Sequence, residues 1–291
     1  MKNGMWKKAA ALVLGAAMVM GLTACGSSNI GGGTTAAGSE SGSEAGSGKN
    51  GVLKVGLSAD YPPFELYAEV DGKRQMVGSD VKLAEYIADA LDMELELTDM
   101  SFDGLIGSLD EGKFDLVISG MTIMEGRKCE FSDPYYVAEQ ALLVKKENVD
   151  KYAELGDLMG QKIGGQMGAL QADLASEYAG DGAQIVGNVQ DMVMMVAEDK
   201  LDGLICEKCV AQSAVAKNPD LAIASVQIPV DDKNEIAVCI KEGNTEMLEK
   251  VNEVIAEVSK KNLYGDWMME YLGTEDIGAG TTEEATEEAT K

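Results

Sequence analysis

Between residues 51 and 273, short apolar runs alternate with longer amphipathic stretches, and this alternation leaves few folds open to the chain. Leu53 to Ser58 is a strand candidate, and Val81 to Leu91 sets Leu83, Ile87 and Leu91 on one helical face. Glu94 to Leu97 alternates like a strand, Leu105, Ile106 and Leu109 recur like a helix, and Leu116 to Ser119 is again a strand. Strand-helix alternation of this kind implies an α/β lobe with a largely parallel sheet. A second series begins at Lys162-Ile163-Gly164. It runs through a helix with Leu170, Leu174 and Tyr178, a strand at Gln184 to Val186 and a helix from Met192 to Ala197. Leu204-Ile205-Cys206, a helix from Cys209 to Lys217 and Leu221 to Ala224 complete a separate α/β lobe. Ile236 to Ile240 then reads as a strand. The helix from Thr245 to Lys260 turns Leu248, Val251, Ile255 and Val258 inward, and a helix containing Trp267 follows. Returning this last section to the first lobe would make strands near Gln140 and Glu235 the bridge between lobes, although pattern alone does not force that topology.

The two ends have a different character. Lys2, Lys7 and Lys8 precede a 14-residue apolar run, Ala9 to Leu22, which is short for a membrane span and reads as an export signal over residues 1–24. Leu22-Thr23-Ala24-Cys25 matches a lipoprotein cleavage motif, in which small residues admit the peptidase and the Cys25 sulfur takes a diacylglycerol. Residues 26–50 hold eight glycines and six serines, with Ile30 as their one large apolar residue, so they cannot bury enough surface to fold. As a flexible tether they would span roughly 25 to 30 Å. Residues 274–291 end in a Thr-Glu-Glu-Ala repeat, a solvated acidic tail expected to be disordered. The organisation expected is therefore a signal at 1–24, a tether at 25–50, a first lobe from 51–139 and 235–273, a second lobe from 140–234, and the tail.

Charge and composition exclude several chemistries. The formal net charge of −26 becomes −29 once the three lysines of residues 1–24 are removed, so the chain repels polyanions and nucleic acid is not a partner. The sequence contains no histidine, which removes histidine triads, general bases and metal sites. Four cysteines remain beside Cys25, namely Cys129, Cys206, Cys209 and Cys239. Cys206-Glu207-Lys208-Cys209 has the spacing of a redox or zinc pair. A structural zinc site wants four ligands, however, so these cysteines read as packing residues or an incidental disulfide, with no metal or cofactor expected.

Three segments carry a resemblance. The first is Ser58-Ala59-Asp60-Tyr61-Pro62-Pro63-Phe64-Glu65. The second runs from Phe102-Asp103-Gly104-Leu105-Ile106 through Gly112-Lys113-Phe114-Asp115 and Ser119-Gly120-Met121-Thr122-Ile123 to Arg127 and Phe131-Ser132-Asp133-Pro134-Tyr135-Tyr136. The third pairs Gln166-Met167-Gly168-Ala169 with Leu201-Asp202-Gly203-Leu204-Ile205-Cys206-Glu207. In this order and spacing they resemble the polar amino acid family of bacterial solute-binding proteins, family 3, the extracytoplasmic receptors of ABC importers, from about Leu53 to Tyr271.

The resemblance implies the bilobed periplasmic-binding-protein-like fold, two α/β lobes joined by a two-strand hinge. It further implies capture of a free polar amino acid and delivery to ABC permease and ATPase subunits, by a monomeric lipoprotein held to the outer face of the cell membrane. It makes Arg127 the carboxylate clamp, a role suited to a planar guanidinium; outside this context the residue would be read as a surface arginine paired with Glu125 or Glu130. Ser119, Gly120 and Thr122 would serve the ligand's carboxylate and ammonium ends. The helix start at Ala169 and Leu170 would offer free N–H groups, and Leu170 would narrow or grease that wall. Glu207 stands where the family more often has the aspartate that pairs with the ligand ammonium. Tyr61 and Phe102 match the positions flanking the ligand side chain, where an aromatic face can accept a cation, and each could also be plain core. Ser58 and Gln166 occupy selectivity positions and are neutral, which weakens the case for a dedicated cationic-ligand pocket without excluding one. Lys82, two residues after Asp80 where relatives often carry a second aspartate, reads as a surface change.

Gly107-Ser108-Leu109-Asp110-Glu111-Gly112-Lys113 mimics a phosphate loop, but Phe114 replaces the required hydroxyl residue and the segment is helical in pattern. Two other classes share the scaffold: a dehydratase-like enzyme and a sensor presenting its ligand to a membrane receptor. Without ligand an open form is expected, with Arg127 and Glu207 apart and closure driven by a ligand bridging them.

Overall fold

A computed structural model describes residues 49–229 and 234–274. The export segment, Cys25, most of the tether and the acidic tail lie outside the described residues. Among the described residues, no helix is long and apolar enough to cross a membrane.

In chain order the first half contains β1 (Val52–Leu57), β2 (Asp60–Tyr61), β3 (Glu65–Val70), β4 (Lys73–Val77), α1 (Ser79–Ala90), β5 (Glu94–Asp99) and α2 (Phe102–Asp110). Short strands β6 (Leu116–Val117), β7 (Glu130–Phe131) and β8 (Tyr136–Val137) follow, then β9 (Gln140–Lys145) and β10 (Ile163–Gln166). Next come α3 (Leu170–Ala179), β11 (Gln184–Val186), α4 (Val189–Ala197), β12 (Gly203–Glu207), α5 (Lys208–Lys217) and β13 (Leu221–Ile223). The chain closes with β14 (Glu235–Ile236), β15 (Cys239–Ile240), α6 (Thr245–Lys261) and α7 (Leu263–Tyr271).

Two five-stranded mixed sheets organise these elements, ordered β5-β1-β6-β15-β7 and β11-β10-β12-β9-β13. In the first, β1 runs parallel to β5 and β6, and the returning β15 lies antiparallel to β6 and β7. In the second, β10 is parallel to β11 and β12, and β9 is antiparallel to β12 and β13. The expected α/β lobes are these two sheets. The strand expected over 236–240 is split between the first sheet, where its end is β15, and the link. Its first part, β14, pairs antiparallel with β8 (Tyr136 opposite Ile236), forming the two-stranded hinge where the chain crosses between lobes.

Amphipathic helices cover the sheets for the reason the spacing gave. Val81, Leu83, Ala84, Ile87 and Ala88 are the buried apolar side of α1, and Val251, Val254, Ile255 and Val258 that of α6. Asn244 caps α6 by accepting from Met247 N–H at 3.3 Å, and Asn262 ends it in a left-handed conformation. In the second lobe Leu142, Val144, Ile163, Leu174, Ala175 and Ile205 form a core of their own. The three-stranded sheet β2-β3-β4 was not expected, although Asp71-Gly72, both at positive φ, is the turn of its β3–β4 hairpin and a recognisable hairpin signal. Lys82 is half-buried and pairs with Glu85 at 3.0 Å. The phosphate-loop mimic falls within and just after helix α2.

Candidate functional site

Parallel pairing brings the site residues to the carboxyl ends of strands. Because Val55 and Gly56 lie opposite Leu116 and Val117, Ser58 emerges beside Ser119, and its N–H donates to the Ser119 hydroxyl at 3.0 Å. In the second sheet Ile163 and Gly164 lie opposite Gly203 and Leu204, so Gln166 and Glu207 end neighbouring strands in the same way. All four are buried.

The Ser119-Gly120 peptide is anchored from behind. Ser119 donates its hydroxyl to Glu65 Oε1 at 2.6 Å, and Gly120 donates its N–H to Asp80 Oδ2 at 2.6 Å. The expectation that both groups serve a ligand directly is therefore corrected: each is committed to a buried carboxyl. What the peptide presents is the Ser119 carbonyl, since in a trans peptide C=O points opposite to the following N–H, here away from Asp80. Thr122 is placed similarly. Its bridge to Ile236 is made by its neighbours, with Ala237 N–H donating to Met121 O (3.0 Å) and Ile123 N–H to Glu235 O (2.9 Å). Thr122's own N–H and C=O then face the other side.

Arg127 is half-buried at the seam between lobes. Its guanidinium donates to the Met121 sulfur, to Met124 Sδ at 3.2 Å and, across the seam, to the Gly168 carbonyl at 3.1 Å. It lies 5.6 Å from the centre of the Phe102 ring. Among the described residues no carboxylate pairs with it: Glu130 instead accepts from Gly243 N–H at 3.1 Å. Loss of water pulls its pKa down from the ordinary arginine value. A cation held against two thioethers and one carbonyl lacks the counter-charge it is best shaped to bind.

Glu207, 1% exposed, accepts from the Tyr61 hydroxyl across the seam and from Gln171 Nε2 at 2.8 Å. Burial lifts its carboxyl to about 8, so at neutral pH it is mostly the uncharged acid. An ammonium arriving here would reverse that shift. Gln171 also donates to Gln140 Oε1 at 3.0 Å and orients this corner. It was missed, its signal being a polar residue in the buried phase of α3, beside Leu170 and Leu174.

Several placements differ from expectation. The Leu170 side chain packs with Leu142, Leu174 and Ile205 inside the second lobe, so it does not grease the cleft. Ala169 packs with Phe102 and Leu105 across the seam, and its N–H closes a turn onto Gln166 O at 3.1 Å. Leu170 N–H remains as a first-turn donor with no intrahelical acceptor. Tyr61 stacks on Phe64 with centroids 5.7 Å apart, and Gln166 Nε2 donates to Gly187 O at 3.3 Å. Cys129, Cys206, Cys209 and Cys239 are unbridged and buried. Cys206 and Cys209 have pKa values raised by burial, which makes them packing groups, and no metal-holding cluster occurs among the described residues.

In this structure the lobes are closed on each other. Besides Tyr61-Glu207 and Arg127-Gly168, the Asp60 carboxylate accepts from Val189 N–H at 2.7 Å, at the positive end of α4. Gln190 Nε2 returns a bond to Asp60 O at 3.0 Å. Polar groups on the facing edges satisfy one another, which removes the cost of burying them unpaired. Beside this clasp lies a cavity of about 550 Å³, with Ser58, Asp60 and Asp99 on one side and Gly187, Asn188, Gln190 and Asp191 on the other.

Comparison with known proteins gives a consistent result. The family model for bacterial extracellular solute-binding proteins, family 3, matches residues 53–274. The arginine-binding extracellular protein ArtP of Bacillus subtilis (strain 168) is 35% identical over 258 residues, covering 87% of this chain and 92% of the relative. The L-cystine-binding protein TcyJ of Escherichia coli (strain K12) is 30% identical over 238 residues, covering 80% and 85%. Among solved structures, the amino acid ABC transporter substrate-binding protein AbpA from Streptococcus pneumoniae Canada MDR_19A, bound to L-arginine, superposes with a TM-score of 0.73. It shares 35% identity and covers 75% of this chain and 93% of that one.

Proposed function

Because the chain belongs to family 3 of the bacterial extracellular solute-binding proteins, we propose that it captures free arginine between its lobes and hands it to an ABC importer. The observation that carries this reading is Arg127: a half-buried guanidinium on the seam, in no ion pair among the described residues though within the field of Asp173, facing a second lobe whose buried acid is Glu207. The two groups are complementary to the two charged ends common to every free amino acid. The Ser119 carbonyl and the Thr122 and Leu170 amides supply uncharged partners, and Ser58, Tyr61, Phe102, Gly120, Gln166 and Ala169 form the remaining wall.

Arginine is favoured over other amino acids by two considerations. Relatives at 35% identity are named for arginine or hold it. The cavity beside Ser58 is walled by Asp60, Asp99 and Asp191, a setting that favours a cationic side chain. Neutral Ser58 and Gln166 then leave charge recognition to acids further along that cavity.

The remaining organisation follows from the same reading. Lobe one comprises residues 51–139 and 235–273, lobe two 140–234, and the protein acts as a binding monomer without catalytic activity. Lipid on Cys25 holds it to the outer membrane face, and Cys25→Ser would release it into the medium.

The test is a thermal-shift screen of the twenty amino acids. A ligand at 100 times its dissociation constant adds about 2.7 kcal/mol of stability. Arginine should give the largest shift; a larger shift with an acidic or apolar amino acid would overturn the assignment.

A further inference from the structure

We propose that Glu65 and Asp80 form an acid-carboxylate pair sharing one proton, which positions the Ser119-Gly120 wall of the cleft, so that ligand affinity depends on that proton. The inference rests on the reading above that this peptide lines the ligand site. Both side chains are 0% exposed and come from separate elements, Glu65 at the start of β3 and Asp80 in the first turn of α1.

Their hydrogen bonds are unequal. Asp80 accepts three: from Gly120 N–H (2.6 Å) and the Tyr135 hydroxyl (2.9 Å) on Oδ2, and from the Tyr264 hydroxyl (2.5 Å) on Oδ1. That is the pattern of an ionised carboxylate. Glu65 accepts from Ser119 on Oε1, while its Oε2 is fully buried and receives no donor. A carboxylate oxygen in that position is costly, but one carrying a proton needs an acceptor instead, and Asp80 is the neighbouring one.

Charge leads to the same placement. The titratable groups facing Glu65 are Asp80 and Asp60, and those facing Asp80 are Glu65, Tyr135 and Tyr264; none is a cation. Two anions in such a place cannot coexist cheaply. Burial and the neighbouring Asp80 push Glu65 well above the usual carboxyl range, and burial raises Asp80 to about 6. Tyr135 and Tyr264, raised by burial beside Asp80, stay protonated and remain donors. The proton therefore resides on Glu65, and the pair titrates as a unit. When pH rises enough to remove it, the two anions repel, the bonds to Ser119 and Gly120 shift, and the Ser119 carbonyl and Thr122 amide lose their placement.

The test compares L-arginine affinity of the wild type and Glu65→Gln by calorimetry between about pH 6 and pH 10. The glutamine keeps an acceptor for Ser119 and a donor where the proton was. Glu207 and the ligand's own ammonium titrate in both proteins and cancel in the ratio. The wild type should lose at least about tenfold more affinity across the window than Glu65→Gln, which should lie within about threefold of wild type at the acidic end. Equal pH slopes would overturn the proposal. Infrared spectroscopy of Glu207→Gln protein without ligand separates the two readings: a protonated-carboxyl band should persist at neutral pH and disappear on adding Glu65→Gln. Absence of that band overturns the shared proton whether or not arginine binds, and its presence without arginine binding upholds the proton while overturning the ligand reading. The same band can be followed without any Glu65 variant should Glu65→Gln fail to fold.

Discussion

The Tyr61 hydroxyl donates to the Glu207 carboxyl across the seam between the two lobes, joining the edge strand β2 to the end of β12. Both side chains are nearly sealed from water, at 5% and 1% exposure. Uncharged, Glu207 holds the lobes together through Tyr61; ionised, it would be the partner of a ligand ammonium in the proposed reading.

Glu207→Gln should separate these roles. The folded-state pKa of about 8 lies above the unfolded value near 4, so the native protein retains a proton the unfolded chain releases. That contribution is full below about pH 4, is lost as pH rises to 8, and is constant above. Glutamine cannot ionise. Melting temperatures of mutant and wild type should therefore agree near pH 4 and diverge up to pH 8 with the mutant higher, while calorimetry shows arginine affinity reduced at least about tenfold.

Arg127→Ala should abolish useful binding and leave the fold intact, because the guanidinium holds no ion pair among the described residues and touches the second lobe through one carbonyl. Losing a charged, buried partner costs about 2 to 5 kcal/mol. Arg127→Lys should recover little, since an ammonium cannot grip a carboxylate bidentately. Unchanged arginine affinity in calorimetry of a variant with native circular dichroism would remove Arg127 from the site.

Asp60→Ala removes the acceptor for Val189 N–H at the start of α4. The closed form should lose about 1 to 2 kcal/mol, seen in stopped-flow traces as a dissociation rate faster by roughly 5- to 30-fold with little change in association. An unchanged dissociation rate would show that the clasp does not hold the closed state.

Gly165→Ala tests the packing beneath the site. A Cβ there would lie 2.3 Å from the Gln171 carbonyl oxygen and 2.9 Å from Ala172 Cα, backbone atoms of α3 that cannot swing aside. The expected cost is about 3 kcal/mol or more, read from chemical denaturation, with Gln171 displaced from Glu207 and arginine affinity falling as well.

Much of this was legible in the chain because the signals are local. The spacing of Leu83 and Ile87 marks α1, and that of Val251, Ile255 and Val258 marks α6, because the buried face of a helix repeats within one element. The Asp71-Gly72 hairpin was equally local and was overlooked. Asp60, Glu65 and Asp80 carry no such mark, and Gln171 only that of a polar residue in the buried phase of α3; the role of each depends on a partner 129, 54, 40 or 36 residues away.

The sequence by itself therefore determined two α/β lobes and the residue types an amino acid site needs, while the return of the chain to the first lobe was decided by the pairing of β15 with β6 and β7. Only the tertiary structure decided where those groups point. Ser119 and Gly120 turn their donors inward to a carboxyl pair, Leu170 turns into the second core, and Glu207 is neutral because it is sealed beneath Tyr61. Periodicity is a property of neighbours along the chain. Burial, the direction of a hydrogen bond and the charge of an acid depend on what packs against them from distant segments, and no local pattern encodes that.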